Sequence, residues 1–124
     1  LVPSGNTYEA LQFHIKKNDK NYIIHSISGQ NSIKLKACLL ERDKIFEELK
    51  VLFPNTRLIK LNKRDHPGFK NSYSYSSYFK FKSGDLIEIA CYDFSDLINN
   101  EGWNDYLTIS LDTKEFNKFL LNAY

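Results

Sequence analysis

Cysteine is scarce in this chain. Cys38 and Cys91 are the only two in 124 residues, too few for a disulfide-dense scaffold. Neither belongs to a CxxC or a Cys/His cluster of the kind that holds zinc. Both stand in apolar, strand-like surroundings, which reads as two buried small hydrophobes. A Cys38–Cys91 disulfide is the alternative. The first reading goes with a reducing, cytoplasmic setting. No apolar run approaches the roughly 18 residues of a membrane span, and no signal-peptide pattern is seen. Methionine is absent and the chain opens on Leu1. Residues 1–7 are read as a flexible leader or tag remnant, and 8–124 as one α+β domain. Walker, GxGxxG and GxSxG motifs are missing, as is any context for a cysteine nucleophile. No cofactor or metal is implied.

Apolar and aromatic residues are plentiful. The chain is 42% hydrophobic and 15% aromatic, which excludes disorder by composition and suffices for a core without staples. The organising stretch is Tyr78 to Asp93. Phe79 and Phe81 alternate with Lys80 and Lys82, the period of a half-buried strand. Ile87, Ile89 and Cys91 do the same after Ser83-Gly84-Asp85. Odd residues face odd residues only if the turn has an odd number of residues. A three-residue turn predicts the pairs Phe81–Ile87, Phe79–Ile89 and Lys80–Glu88.

Around this hairpin the sequence predicts further strands at Tyr8–Lys17, Tyr22–Ser28, Ile33–Cys38, Arg57–Lys63 and Tyr106–Leu111. Glu41–Phe53 predicts a helix with an apolar stripe of Ile45, Phe46, Leu49, Leu52 and Phe53. A last helix opens at Asp112, read as its cap with Glu115 as the reciprocal partner. Its stripe is Phe116, Phe119, Leu120 and Tyr124. The expected fold is α+β: an antiparallel sheet of about six to seven strands with two helices packed on one face, in the order βββαββββα.

Net charge is only +2, yet it is unevenly spread. Arg57 to Lys82 holds seven basic residues and one acid, and Ser83 to Thr113 holds seven acids and no Lys or Arg. Cross-strand pairing explains part of this. The rest implies a bipolar surface, which steers partners more than it adds affinity.

The three histidines are His14, His25 and His66. His14, His25 and a lysine (Lys34 or Lys16) would suffice for metal-independent RNA cleavage, one imidazole as base, one as acid, the cation on the phosphorane. This needs the first hairpin to bring His14 beside His25. A three-His zinc site would need His66 there as well, and no HxH or HExxH spacing supports it. Asp85 and Glu88 have the look of a nuclease carboxylate pair, but Ala90 stands where a lysine would be needed.

The loops at 64–78 and 93–105 are the candidate binding surface, because function gathers on loops held by a rigid scaffold. Arg64, His66, Lys70, Tyr73, Tyr75 and Trp103 are its candidate contacts, and Arg, Tyr and Trp are enriched in interface hot spots. The resulting expectation is a non-enzymatic protein-binding domain, of a size that suits an inhibitor, immunity-type or accessory module of a bacterial system. Two alternatives stand beside it: a small ribonuclease or toxin-like domain using His14 and His25, and a single-strand nucleic-acid binder using the basic and aromatic segment 57–82.

Overall fold

A computed structural model describes residues 8–123; the leader at 1–7 and Tyr124 lie outside the described residues. Seven strands and three helices follow in the order β1 (Ala10–Ile15), β2 (Ile24–Ser32), α1 (Leu35–Leu52), β3 (Arg57–Lys60), β4 (Arg64–Asp65), β5 (Tyr73–Lys80), β6 (Leu86–Asp93), α2 (Asp96–Asn100), β7 (Tyr106–Asp112) and α3 (Lys114–Ala123). The strands form one open antiparallel sheet in the order β1-β2-β7-β6-β5-β3, with β4 also pairing β5. The α+β class and the antiparallel sheet are as the sequence predicts.

The central hairpin keeps the predicted faces but not the predicted register. Phe79 lies opposite Ile87, Tyr78 opposite Glu88, and Lys80 opposite Leu86. The connection therefore has five residues, Phe81 to Asp85, closed by the Phe81 N–H on the Asp85 carbonyl at 3.0 Å. Five is still odd, so Phe79, Ile87, Ile89 and Cys91 share a face. Lys80 loses its predicted partner. The reason is Phe81, which leaves the ladder and packs edge-on against Phe53, ring centres 5.4 Å apart. Gly84, at φ +93°, makes the turn under the Lys114 side chain, a conformation that costs glycine little.

The predicted third strand is absent. Ile33 and Lys34 are connection, and helix α1 begins at Leu35. Ile33-Lys34-Leu35-Lys36-Ala37-Cys38 alternates over six residues, but Leu35, Cys38, Ile45, Phe46 and Leu49 carry a helical stripe through a longer window. Cys38, Ile45, Phe46 and Leu49 on α1 meet Phe79, Ile87, Ile89, Cys91 and Leu107 on the sheet, and this cluster is the core. Leu52, expected within the stripe, is 58% exposed.

The two cysteines are not free thiols. Cys38 on α1 and Cys91 on β6 are joined by a disulfide that closes a separation of 53 residues. It pins the helix to the middle of the sheet. The expectation of two helices on one face holds for α1 alone. Phe116 of α3 packs on His14 at 4.6 Å, and the row His14–Ser26–Asp112 belongs to the face away from the core. The cap of α3 is also displaced by one residue. Thr113 Oγ1 accepts from the Phe116 N–H at 3.2 Å, while the Asp112 carboxylate accepts from the Ser26 and Ser110 hydroxyls.

Candidate functional site

The 60s and 90s loops come together at one end of the sheet, and a run of short polar contacts fuses them. Ser72, buried at the start of β5, accepts from the Ser95 N–H at 3.0 Å. Asp105, buried before β7, accepts from the Phe94 N–H at 2.9 Å and from the Asn99 side chain at 3.2 Å. Asn99 also donates to the Trp103 carbonyl at 2.7 Å. Ser95 caps the short helix α2. All but the Asn99–Asp105 bond, which joins two side chains, satisfy a backbone group that a loop would otherwise leave to water.

His66 anchors its own loop. Its Nδ1 accepts from the Gly68 and Phe69 N–H groups at 3.0 and 3.2 Å. That geometry belongs to the neutral imidazole with its proton on Nε2. Burial holds the His66 pKa below the usual histidine range. The ring then joins an aromatic cluster: Phe69 at 5.0 Å, Phe94 at 5.8 Å and Tyr92 at 5.9 Å. Phe69 carries the cluster to Trp103 at 5.6 Å, and Tyr92 stacks on Tyr106 at 4.7 Å. Such pairs contribute about 0.5–1.5 kcal/mol each beyond their burial.

The strands set the base of this site. Arg64, Ser74, Tyr92 and Tyr106 form one row across β4, β5, β6 and β7, on the face away from α1. Trp103 stands above it, 54% exposed. It also walls a cleft of about 440 Å³ lined by Glu9, Gln12, Gln30, Asn31, Asn104 and Tyr106 among others. Asp93, opposite Tyr73 on the α1 side of the sheet, has its carboxyl pKa raised by burial and by Asp105 and Asp96.

Of the residues singled out from sequence, His66 and Trp103 are joined through Phe69, and Arg64 lies in the row beneath. Lys70 is exposed on the loop between them. Tyr73 faces the other way, with Lys63 Nζ 3.7 Å from its ring centre. Tyr75 packs against the core on the α1 side, so its ring belongs to packing. Phe69, Phe94, Tyr92 and Tyr106 were not singled out. Phe69 and Phe94 are aromatics inside the two polar loops, and that is the one local signal for them.

The basic segment does not form one groove. Arg57 pairs opposite Lys80 and Lys60 opposite Ser77, on opposite faces. Lys60 is bound to Asp43 of α1 at 3.5 Å. Tyr78, which the run would offer for base stacking, points to the face away from α1 with Glu88. Burial raises the pKa of both Tyr78 and Glu88.

His14 and His25 do not pair across the first hairpin as the ribonuclease reading needs. His14 lies opposite Ser26 and Ile15 opposite Ile24, so His25 is the extra residue at a bulge. Both nevertheless line one cleft of about 390 Å³ with Ile15, Lys16, Glu115, Phe116 and Phe119. His25 Nδ1 is 3.4 Å from Thr113 Oγ1 and 4.0 Å from Glu115. Lys16 is in an ion pair with Glu115 at 2.6 Å. Lys34 precedes α1, beyond the far end of β2. The seven residues of β2 beyond His25, Ser26 to Ser32, at about 3.3 Å each, separate the two. Among the described residues no three of His, Cys, Asp and Glu are grouped as metal ligands would be. Among the described residues no helix is long and apolar enough to cross a membrane.

Comparisons with protein-family models, curated proteins and solved structures find no match to this chain.

Proposed function

We propose that this chain is a non-enzymatic protein-binding domain whose binding surface is the fused loop end of the sheet, with Trp103, His66, Lys70 and Arg64 as its contacts. One observation carries the reading. Trp103 is more than half exposed although it is seated on a cluster held in place by hydrogen bonds to the buried Ser72 and Asp105. An indole so placed forms contact area without first paying to order the loop. Arg64 and Lys70 on one side and Asp96 and Glu101 on the other give the surface both signs of charge, which selects and orients a partner. An inhibitor, immunity-type or accessory role in a bacterial system suits such a module. The buried disulfide argues for an oxidising compartment, so the proposal departs from a cytoplasmic setting. Trp103→Ala and Arg64→Glu should each weaken partner capture at least tenfold, the loss typical of a hot spot. His14→Ala should leave it unchanged. Capture that survives both loop substitutions contradicts the proposal.

A second reading has its own observation: His14 and His25 share a cleft. A ribonuclease working there would cleave RNA in EDTA and lose that activity in His14→Ala or His25→Ala. Against it, Lys16 is neutralised by Glu115, and Lys34 is at the other end of the sheet. RNA left intact in EDTA by the wild type removes this reading. Retention on single-stranded DNA that falls steeply with salt would instead support a nucleic-acid binder.

A further inference from the structure

The sheet has an uncovered apolar margin. The row Ile87, Leu111, Ile27, Phe13 runs from its centre to its edge on the α1 side. Along it exposure goes from 7% at Ile87 to 50%, 39% and 55%. Helix α1 covers the centre and stops. Leu11 and Ile15, on either side of Phe13 in β1, are 47% and 46% exposed. Among the described residues β1 has no partner on its outer side. Its free N–H and C=O groups are a template for another strand. The usual defences of an edge are a proline, an inward charge or a bulge in mid-strand. Ala10-Leu11-Gln12-Phe13-His14-Ile15 has none of these before the bulge at its last residue.

We infer that β1 pairs antiparallel with β1 of a second copy of this chain, with Phe13 opposite Phe13 across a twofold axis. The register is selected by the sequence. Self-pairing joins residues whose numbers have a constant sum, and only an even sum sets apolar against apolar. A sum of 24 sets Glu9 against Ile15. A sum of 28 sets Leu11 against Lys17 and His14 against His14. A sum of 26 sets Leu11 against Ile15, Phe13 against Phe13, and Gln12 against His14. It also brings Glu9, just before β1 with its carboxylate on the Ser32 hydroxyl, towards Lys17 in the turn just after β1, so an acid meets a base at each end of the seam. This charge complementarity singles out a second copy as occupant, because the residues flanking β1 supply the matching ends. The twofold axis stands perpendicular to the sheet. The outer apolar row of each copy then abuts its equivalent, and the two sheets run on as one.

The test is sedimentation of the full chain over a concentration series up to the sub-millimolar range. The wild type should reach twice its 14.5 kDa mass, and Phe13→Lys should stay at the single-chain mass. Glu9→Lys and Lys17→Glu should each weaken association at least about fivefold, since each turns two cross-strand attractions into repulsions. The double variant Glu9→Lys/Lys17→Glu should restore it, which also shows that the single variants fold. Phe13→Cys, oxidised, should give a covalent dimer on a non-reducing gel. A wild type that remains a single chain throughout overturns the inference. So does a dimer indifferent to Phe13→Lys, or one the double variant fails to restore.

Discussion

Removing the Cys38–Cys91 bridge should cost this fold a large part of its stability. The bridge joins α1 to the central strand β6 and closes a separation of 53 residues. In the chain-entropy account, a loop of that length withheld from the unfolded ensemble stabilises the native state by about 4 kcal/mol. For 124 residues, an unfolding entropy of about 2.1 cal/mol/K per residue converts this to a fall in Tm of about 15 °C. Both sulfurs are fully buried, Cys38 at 1% and Cys91 at 0% exposure, so the alanine pair also loses packing, in the same direction. The assay is thermal unfolding of Cys38→Ala/Cys91→Ala against the wild type, followed by circular dichroism. A fall of less than about 4 °C, or roughly 1 kcal/mol, would refute the reasoning. It would mean that α1 is held by its apolar stripe alone.

Other consequences follow from the core and from the buried titratable groups. Phe79, fully buried against Phe46 at 4.9 Å between ring centres, should cost about 3–5 kcal/mol as Phe79→Ala in urea unfolding. Neutral His66 accepts two backbone N–H bonds, and burial lowers its pKa. Its contribution is therefore complete above the ordinary histidine pKa near 6.5 and is lost as pH falls through the lower folded value. Trp103 emission should shift on acidification, at a pH below the ordinary histidine range, and should not shift in His66→Phe. Burial raises the pKa of Glu88, which also feels Asp112. Its contribution is present at low pH and lost as pH rises through the raised folded value. Glu88→Gln should accordingly raise Tm at pH 8 and do little at pH 4; the reverse order would contradict the assignment.

How much of this was legible in the sequence depends on the range over which each signal acts. Period-two alternation at Phe79–Lys80–Phe81 and Ile87–Ile89–Cys91 fixed the hairpin and its inner face, because face is a local property of a strand. The register slipped by two because Phe81 packs on Phe53, a contact with a helix some thirty residues away in sequence. Ile33 to Cys38 alternates as well as any strand. Only the longer window from Leu35 to Leu49 shows the helical stripe. The disulfide stands only as the alternative for the same reason, since the strand reading places Cys38 on a strand and not on a helix facing β6. At the site, the sequence supplied the two loops and Trp103 but not their union. Ser72 with Ser95, and Asp105 with Phe94, are tertiary bonds that no spacing announces. Tyr75 was misjudged because a Tyr/Ser run looks alike whether the rings face water or the core. The β5 register sends its ring to the core.

The fused loops around Trp103 are proposed to bind a protein partner. The most direct measurement puts a photo-crosslinking amino acid at position 103 and, in a second protein, at Val51, which is 80% exposed on α1. Both are irradiated in extract of the source cells. The account expects one dominant protein adduct from position 103 that is absent from position 51 and lost when Arg64→Glu is added. The same adducts from both positions, or none from position 103, would contradict it.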